Sequence, residues 1–358
     1  MSRSLRHRPS AVLLLLALPV LLVACGEAVD GPTAPTTSAP DASAGGGADA
    51  DGPLVVYSGR SEDLVGPILE GFAAMTGREL EVRYGDTAEL AAAILAEGDA
   101  SPADVFFGQD AGALGALEAA GRFAELDAET LGLVDPAYRS SAGRWVGVTG
   151  RARVLVHAPD LAAADLPDSV GELTDPVWRG RVGWAPTNAS FQAFVTALRL
   201  LEGEDAARAW VEGMLANDVQ VYEKNTAIVE AVGRGEIDLG LTNHYYLLRY
   251  LAEDPDYPAV NRFLPGDVGG LVNVAGVGVL STSERPTGAA ELVAHLLSEE
   301  VQRSFAGAAA GEYPMRAGVE ASDRLPTLVE LAPPALDLGR LEDLEGTLAL
   351  LREVGALD

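Results

Sequence analysis

The chain has 358 residues, 48% of them hydrophobic and 22% charged, which excludes disorder throughout and predicts about two domains' worth of packed structure. Lysine and arginine number 25 against 53 aspartates and glutamates, a formal net charge of -28, and Lys224 is the only lysine. That balance repels phosphate backbones and excludes general nucleic-acid binding, while the single cysteine excludes an intrachain disulfide.

Residues 1–8 (MSRSLRHR) are basic, residues 11–23 (AVLLLLALPVLLV) are apolar, and Leu22-Val23-Ala24-Cys25 closes the run. So short an apolar stretch does not cross a bilayer, which takes about 20 residues. Residues 1–24 therefore read as a secretory signal. The Leu-x-Ala-Cys ending resembles a bacterial lipobox, which implies cleavage before Cys25 and its lipidation. A plain secretory signal with an incidental cysteine is the alternative. Cleavage removes three arginines and no acid, leaving 22 basic residues against 53 acids, a net of -31. Residues 26–52 are Gly, Ala, Pro, Ser and Thr with a few acids. They lack large apolar residues and read, with Cys25, as a lipid-anchored flexible tether (25–52) before a globular domain at 53–358.

From Leu54 strands and helices alternate. LVVYSG (54–59) is a short apolar run ending in glycine, and Ser61 stands where a helix through Ala74 would be capped. ELEVRYG (79–85) alternates with period two, residues 86–98 read as a helix ending at Gly98, ADVFFG (103–108) as a strand and 110–121 as a helix. The rhythm returns with strands at 151–157, 181–185, 236–243 and 272–280 and helices at 189–201, 204–215, 227–235 and 244–254. This predicts an α/β fold of two units with a cleft between them, ligands lying past the carboxyl ends of strands.

Catalytic signatures are absent: no Gly-x-Ser-x-Gly elbow, no P-loop, no Gly-x-Gly-x-x-Gly and no His-Glu-x-x-His. The only thiol lies at the proposed lipidation site, which excludes a Cys/His zinc site. A secreted hydrolase using His157 with Ser190 has no third member to complete it. The sequence predicts binding, not an enzyme.

The most informative segment is Asn243-His244-Tyr245-Tyr246, directly after a strand. On a strand the two tyrosines would face opposite ways. In the first turn of a helix they stand about 100° apart and can straddle one point. Phenol oxygens are hard ligands, and a trivalent cation such as Fe(III) can displace their protons. Packed aromatics with hydroxyls at the surface are the alternative.

Residues 54–316 resemble the periplasmic ferric-ion-binding proteins, the substrate-binding subunits of Fe(III) ABC importers. The matching stretches are VVYSGR (55–60), SPADVFF (101–107), TGRARVLV (149–156), VGWAPTNASF (182–191), YEKNTAIVEAV (222–232), GEIDLGLTNHYY (235–246) and GEYPMR (311–316), in the family's order. The resemblance implies a two-lobed periplasmic-binding-protein fold with hinge strands and a ligand cleft between lobes. Lobe 1 would take about 53–150 plus 275–325, and lobe 2 about 151–274. It implies Tyr245 and Tyr246 as Fe(III)-binding phenolates. Where many members add a ligand after the first strand, this chain has Ser61 and Glu62, and Glu62 is the candidate third ligand; a first-turn helix acid is its alternative. The family's glutamate after the Pro-Ala-Asp-Val-Phe strand is replaced by Gln109, and a further tyrosine of some members by Phe191. A synergistic phosphate or carbonate would fall to Asn188, Ala189, Ser190, Asn225 and Asn243, with Arg151 neutralising it. Asn225 has the alternative of a plain helix cap, and Arg151 that of a packing arginine. His157, His244 and Tyr57 are second-rank candidates around the metal.

The function this implies is capture of Fe(III) outside the cytoplasm by a monomeric lipoprotein on the cell membrane (periplasmic where an outer membrane exists), with delivery to an ABC permease and its ATPase. The same fold binding a small organic or phosphorylated anion without iron is the second reading.

Overall fold

The computed structural model describes residues 49–307 and 311–357. The expected signal, Cys25 and most of the tether lie outside the described residues. Asp49, ahead of the expected boundary at 53, is already packed on the fold. Asp49 accepts from the backbone N–H groups of Thr287 and Gly288 at 2.8 and 2.9 Å and pairs with Arg78 at 2.9 Å. Unpaired N–H groups at the start of the helix Pro286–Leu296 attract a carboxylate, and this pins the chain's entry.

The strands are β1 (Leu54–Ser58), β2 (Leu80–Tyr84), β3 (Val105–Gly108), β4 (Val146–His157), β5 (Val182–Trp184), β6 (Gln220–Val221), β7 (Leu239–Asn243), β8 (Val260–Arg262), β9 (Val272–Val279) and β10 (Tyr313–Pro314). They run in the order β2-β1-β3-β9-β4-β7-β5-β6, with β8 and β10 on β4. β1 lies parallel between β2 and β3; β5 lies parallel between β6 and β7. Each set is the parallel half that strand-helix alternation produces.

An antiparallel pair joins the halves. The sequence placed β4 at 151–157, but it starts at Val146, because Val146-Gly147-Val148 extends the apolar run without a turn signal. Val146–Ala152 pairs with β9, whereas Arg153–His157 pairs with β7. One strand thus serves both lobes. The crossing at Ala152/Arg153 stands beside the crossing at Leu271/Val272, where Arg153 N donates to Leu271 O at 2.9 Å.

One apolar core runs through both halves. Phe72, Phe106, Phe107 and Trp145 are fully buried in the first. In the second, Trp184 meets Phe191 and Phe194 meets Trp210, both edge-to-face with centroids 5.3 Å apart. The C-terminal residues reach both halves. Leu338–Glu342 lies on the helix Ala111–Ala119, and the helix Leu344–Glu353 packs on the helix Ala189–Glu202. A Cβ on Gly115 would stand 1.9 Å from the carbonyl oxygen of Gly339, so only glycine permits that approach. Buried hydroxyls of Thr196 and Thr347 close the far side at 2.7 Å. Among the described residues no helix is long and apolar enough to cross a membrane.

Candidate functional site

β7 ends at Asn243 and the helix His244–Glu253 begins at once. Asn243 has the extended backbone of an N-cap (φ −102°, ψ 148°), so Tyr245 and Tyr246 take the second and third helical positions. There their rings lie side by side, centroids 4.3 Å apart and planes 30° from parallel. Tyr245 is 5% exposed and Tyr246 half-buried. Burial, and then the neighbouring Tyr246, push the Tyr245 phenol above its ordinary value. The Tyr245 phenol of the empty protein is therefore neutral at neutral pH, and a bound cation must displace its proton. Arg249, one turn on, holds its guanidinium carbon 4.9 Å from the centre of the Tyr245 ring.

Both tyrosines open on a cleft of about 90 Å³ between the two halves. At roughly 10–15 Å³ per water, it takes a hydrated ion or a small anion. The second half contributes Asn188, Ala189, Ser190 and Asn243; β4 contributes Arg151 and Arg153; the first half contributes Gln109 and Asp110; the hinge contributes Leu271 and Asn273.

Asn188 caps the helix Ala189–Glu202, its Oδ1 accepting from Ser190 N at 3.0 Å and Ser190 Oγ at 2.6 Å. The positive end of a 14-residue helix therefore faces the cleft. Arg153 stands beside it. Its Nη1 donates to Ser190 O at 3.1 Å, and its guanidinium carbon lies 5.1 Å from the Phe194 ring centre. Its Nε and Nη2 are buried with no partner among the described residues. Burial pushes the guanidinium down to about 10, yet it is still charged at neutral pH. A buried cation with idle donors beside a helix start suits an anion. Arg151 also lines the cleft; its Nη2 donates to the Gln109 carbonyl, and burial pushes it down. Behind it lies the buried pair of Arg60 and Glu312 at 2.8 Å. Burial alone would raise the Glu312 carboxyl, but Arg60 and Arg151 outweigh it and hold it below the usual range.

Other expected residues are placed elsewhere. Glu62 does not line the cleft: it is exposed in the first turn of the helix Glu62–Thr76, on the side of Tyr84, with Ser61 exposed beside it and making no capping hydrogen bond. Tyr57 spends its hydroxyl on Glu97 and Arg83, at 3.1 and 3.2 Å. His157 donates through Nδ1 to its neighbour's carbonyl, Ala158 O, at 2.8 Å. His244 is fully buried beneath the tyrosines. Its Nδ1 accepts from Ala152 N at 3.2 Å and its Nε2 donates to Gly311 O at 2.6 Å, so it ties the tyrosine helix to the hinge. Burial lowers its pKa, which keeps it neutral. Asn225 is the first residue of its helix, not the cap, and stands behind the Asn188–Ser190 turn, its Nδ2 donating to Asn188 Oδ1 and Ser190 Oγ at 3.2 and 3.3 Å.

Sequence reasoning missed Arg153, Asp110, Leu271 and Asn273. Arg153 carried a signal: Arg151 and Arg153 are two apart on a strand and share a face. Asn273 carried none; its Oδ1 accepts from Ala111 N at 3.1 Å, a contact between segments 162 residues apart.

Residues 100–335 match the family model described as bacterial extracellular solute-binding protein. The Fe(3+)-binding periplasmic protein of Serratia marcescens is 35% identical over 87% of this chain and 92% of its own length. The iron-bound HitA crystal structure from Pseudomonas aeruginosa superposes with a TM-score of 0.78 at 36% identity, covering 85% of this chain and 99% of that one. The Trichodesmium protein solved with iron and citrate ligands gives 0.74 at 26% identity, covering 85% and 99%. The shared architecture is the two-lobed fold of periplasmic binding proteins. The chain belongs to the ferric-iron-binding proteins of the bacterial extracellular solute-binding family, which bind and carry a substrate and are not enzymes.

Proposed function

We propose that this chain captures Fe(III) with a synergistic anion and hands it to an ABC importer. The carrying observation is the adjacent pair Tyr245 and Tyr246, opening on one small cleft with Arg153, whose Nε and Nη2 lack partners among the described residues. Two hard phenolates take the ion, which drives off their protons. The remaining coordination positions fall to an oxygen anion, phosphate or carbonate, held by Arg153, Ser190 and the start of the helix Ala189–Glu202. Asn188 shapes that loop, Asn225 braces it from behind, and Arg151 and Asn243 complete the wall. Glu62 has no part in this ligand set.

The mechanism is lobe closure about β4 and β9, with lobe 1 at about 53–150 plus 275–325 and lobe 2 at about 151–274. Iron with its anion binds the closed arrangement better, which shifts the population toward it. The permease reverses the shift by opening the lobes, and its ATPase supplies the energy. Residues 1–24 are a cleaved signal and Cys25 carries the lipid, so a monomeric domain works on a tether at the outer face of the cell membrane.

Native mass spectrometry after incubation with ferric citrate tests the iron claim. One iron per chain is expected for the wild type and none for Tyr245→Phe with Tyr246→Phe. Equal iron in both proteins would refute the tyrosine assignment.

A further inference from the structure

The tyrosine helix grows from lobe 2 but is fastened to lobe 1. His244 opens it with a fully buried ring, and both ring nitrogens are engaged. A carbonyl oxygen only accepts, so the bond to Gly311 O at 2.6 Å puts the ring proton on Nε2, and Nδ1 is left to accept from Ala152 N at 3.2 Å. Ala152 lies at the hinge crossing of β4, whereas Gly311 belongs to lobe 1: it leads into β10, which pairs with Thr149 and Gly150 in the part of β4 that lies against β9. One turn on, Leu248 presses on the same residue. A Cβ on Gly311, whose φ is +59°, would stand 2.7 Å from Leu248 Cδ1. His244 and Leu248 are four apart and share the helix face that docks there.

The same ring touches a residue of the cleft. It stands edge-on to the Tyr245 ring, centroids 5.9 Å apart and planes at 89°, and meets lobe 1's Tyr313 at 5.2 Å. From lobe 2, Asn261 Nδ2 donates to the His244 carbonyl at 2.8 Å. The backbone at this helix start is thus held by one lobe and the side chain by the other. A shift of Gly311 away from lobe 2 would strand a buried N–H, so the ring follows the carbonyl, and Tyr245, packed edge-on against it, turns with it.

We propose that His244 is a positioning residue that couples lobe opening to the grip of the tyrosine pair; this rests on the reading that the pair holds Fe(III) and that the lobes part to release it. With the lobes closed, the bond to Gly311 sets the first turn of the helix so that both phenols face the cleft. Parting the lobes withdraws the Gly311 carbonyl, and the Tyr245 phenol is drawn off the ion.

The test compares iron-loaded wild type, His244→Asn and His244→Gln for the rate at which excess citrate removes the iron and for the phenolate-to-iron absorbance per bound iron. Glutamine carries an amide nitrogen where Nε2 stands and keeps a donor for Gly311 O; asparagine reaches only the position of Nδ1 and keeps the hinge bond alone. Iron loss from the asparagine variant should be at least about tenfold faster than from the wild type, with lower absorbance per iron, whereas glutamine should restore the rate to within about threefold and the absorbance in full. A merely structural histidine would lower the melting temperature of both variants without separating them on iron. Equal rates of iron loss in the two variants, or a wild-type rate in the asparagine variant, overturn the proposal alone. Should His244→Asn fail to fold, Leu248→Ala decides: iron loss faster than from the wild type is expected, and a wild-type rate overturns the proposal. A wild type that takes up no iron overturns the iron reading, and this coupling with it.

Discussion

Replacing Arg153 with methionine should strengthen the empty protein and weaken the loaded one. The guanidinium is 2% exposed, and burial has pushed it from 12.5 down to about 10. At 1.36 kcal/mol per pKa unit, that displacement corresponds to about 3 kcal/mol of desolvation borne by the fold. The folded value is depressed for a base, so this penalty applies at every pH below about 10 and fades only as pH rises through it. Methionine keeps the contact with Phe194 and Phe191. Against the gain stand the hydrogen bond to Ser190 and the guanidinium's attraction to the rings, together about 1–2 kcal/mol. The net is a stabilisation of about 1–2 kcal/mol, a rise of a few degrees in melting temperature for a domain of this size. Loading should move the other way. Loss of charge-assisted hydrogen bonds of about 1.5–3 kcal/mol weakens anion-supported iron binding by roughly tenfold to a hundredfold. The assays are thermal unfolding of the iron-free protein and iron loading across a phosphate series. An iron-free variant that melts lower, with phosphate dependence equal to the wild type's, would refute the reasoning.

Three further outcomes follow from the same geometry. Because the Tyr245 phenol is raised and must lose its proton to the ion, iron affinity should fall with falling pH, by up to about a hundredfold per unit if both phenols ionise; equilibrium dialysis against citrate between pH 8 and pH 5 would read it, and a flat profile would argue against phenolate ligands. Glu312→Gln leaves Arg60 buried without a counter-charge and should cost about 3–5 kcal/mol, seen as a lower urea midpoint. The folded carboxyl of Glu312 is depressed, so its contribution is present above the ordinary glutamate range and is lost as pH falls through the folded value; the variant's deficit should shrink in acid. Gly115→Ala drives a methyl into the Gly339 carbonyl and should lower the melting temperature by several degrees, whereas Gly121→Ala, at a positive φ of 68° but with open space around it, should cost only about 1 kcal/mol.

The fold class was legible because strands such as β1 and β3 are short apolar runs that end at or next to a glycine, and several helices begin at a capping residue such as Asp86, Asp110 or Asn188. The tyrosine pair was legible for a local reason: residues 243–246 carry both the strand end and the helix start. The helix start at 188–190 was legible through its capping chemistry. What sequence did not reveal depends on long-range approach. Arg153 becomes an idle cation only where the Ser190 loop meets β4, and Asp110 becomes a cleft carboxylate only because β3 lies two strands from β4. Glu62 misled for the converse reason. Its place after β1 suggested the cleft, but its helix phase turns it outward toward Tyr84. His244 had the right neighbours in sequence, yet the same 100° step that sets Tyr245 and Tyr246 on the cleft sends its ring into the hinge.

Ligation of the ion by two adjacent phenolates is read out by a visible absorption titration of the metal-free protein with chelated Fe(III), phosphate or carbonate present. A saturable phenolate-to-iron band at one iron per chain is expected, lost in Tyr245→Phe with Tyr246→Phe. A wild type that develops no such band, or a double variant that keeps it, would rule out the tyrosine pair as the iron ligands.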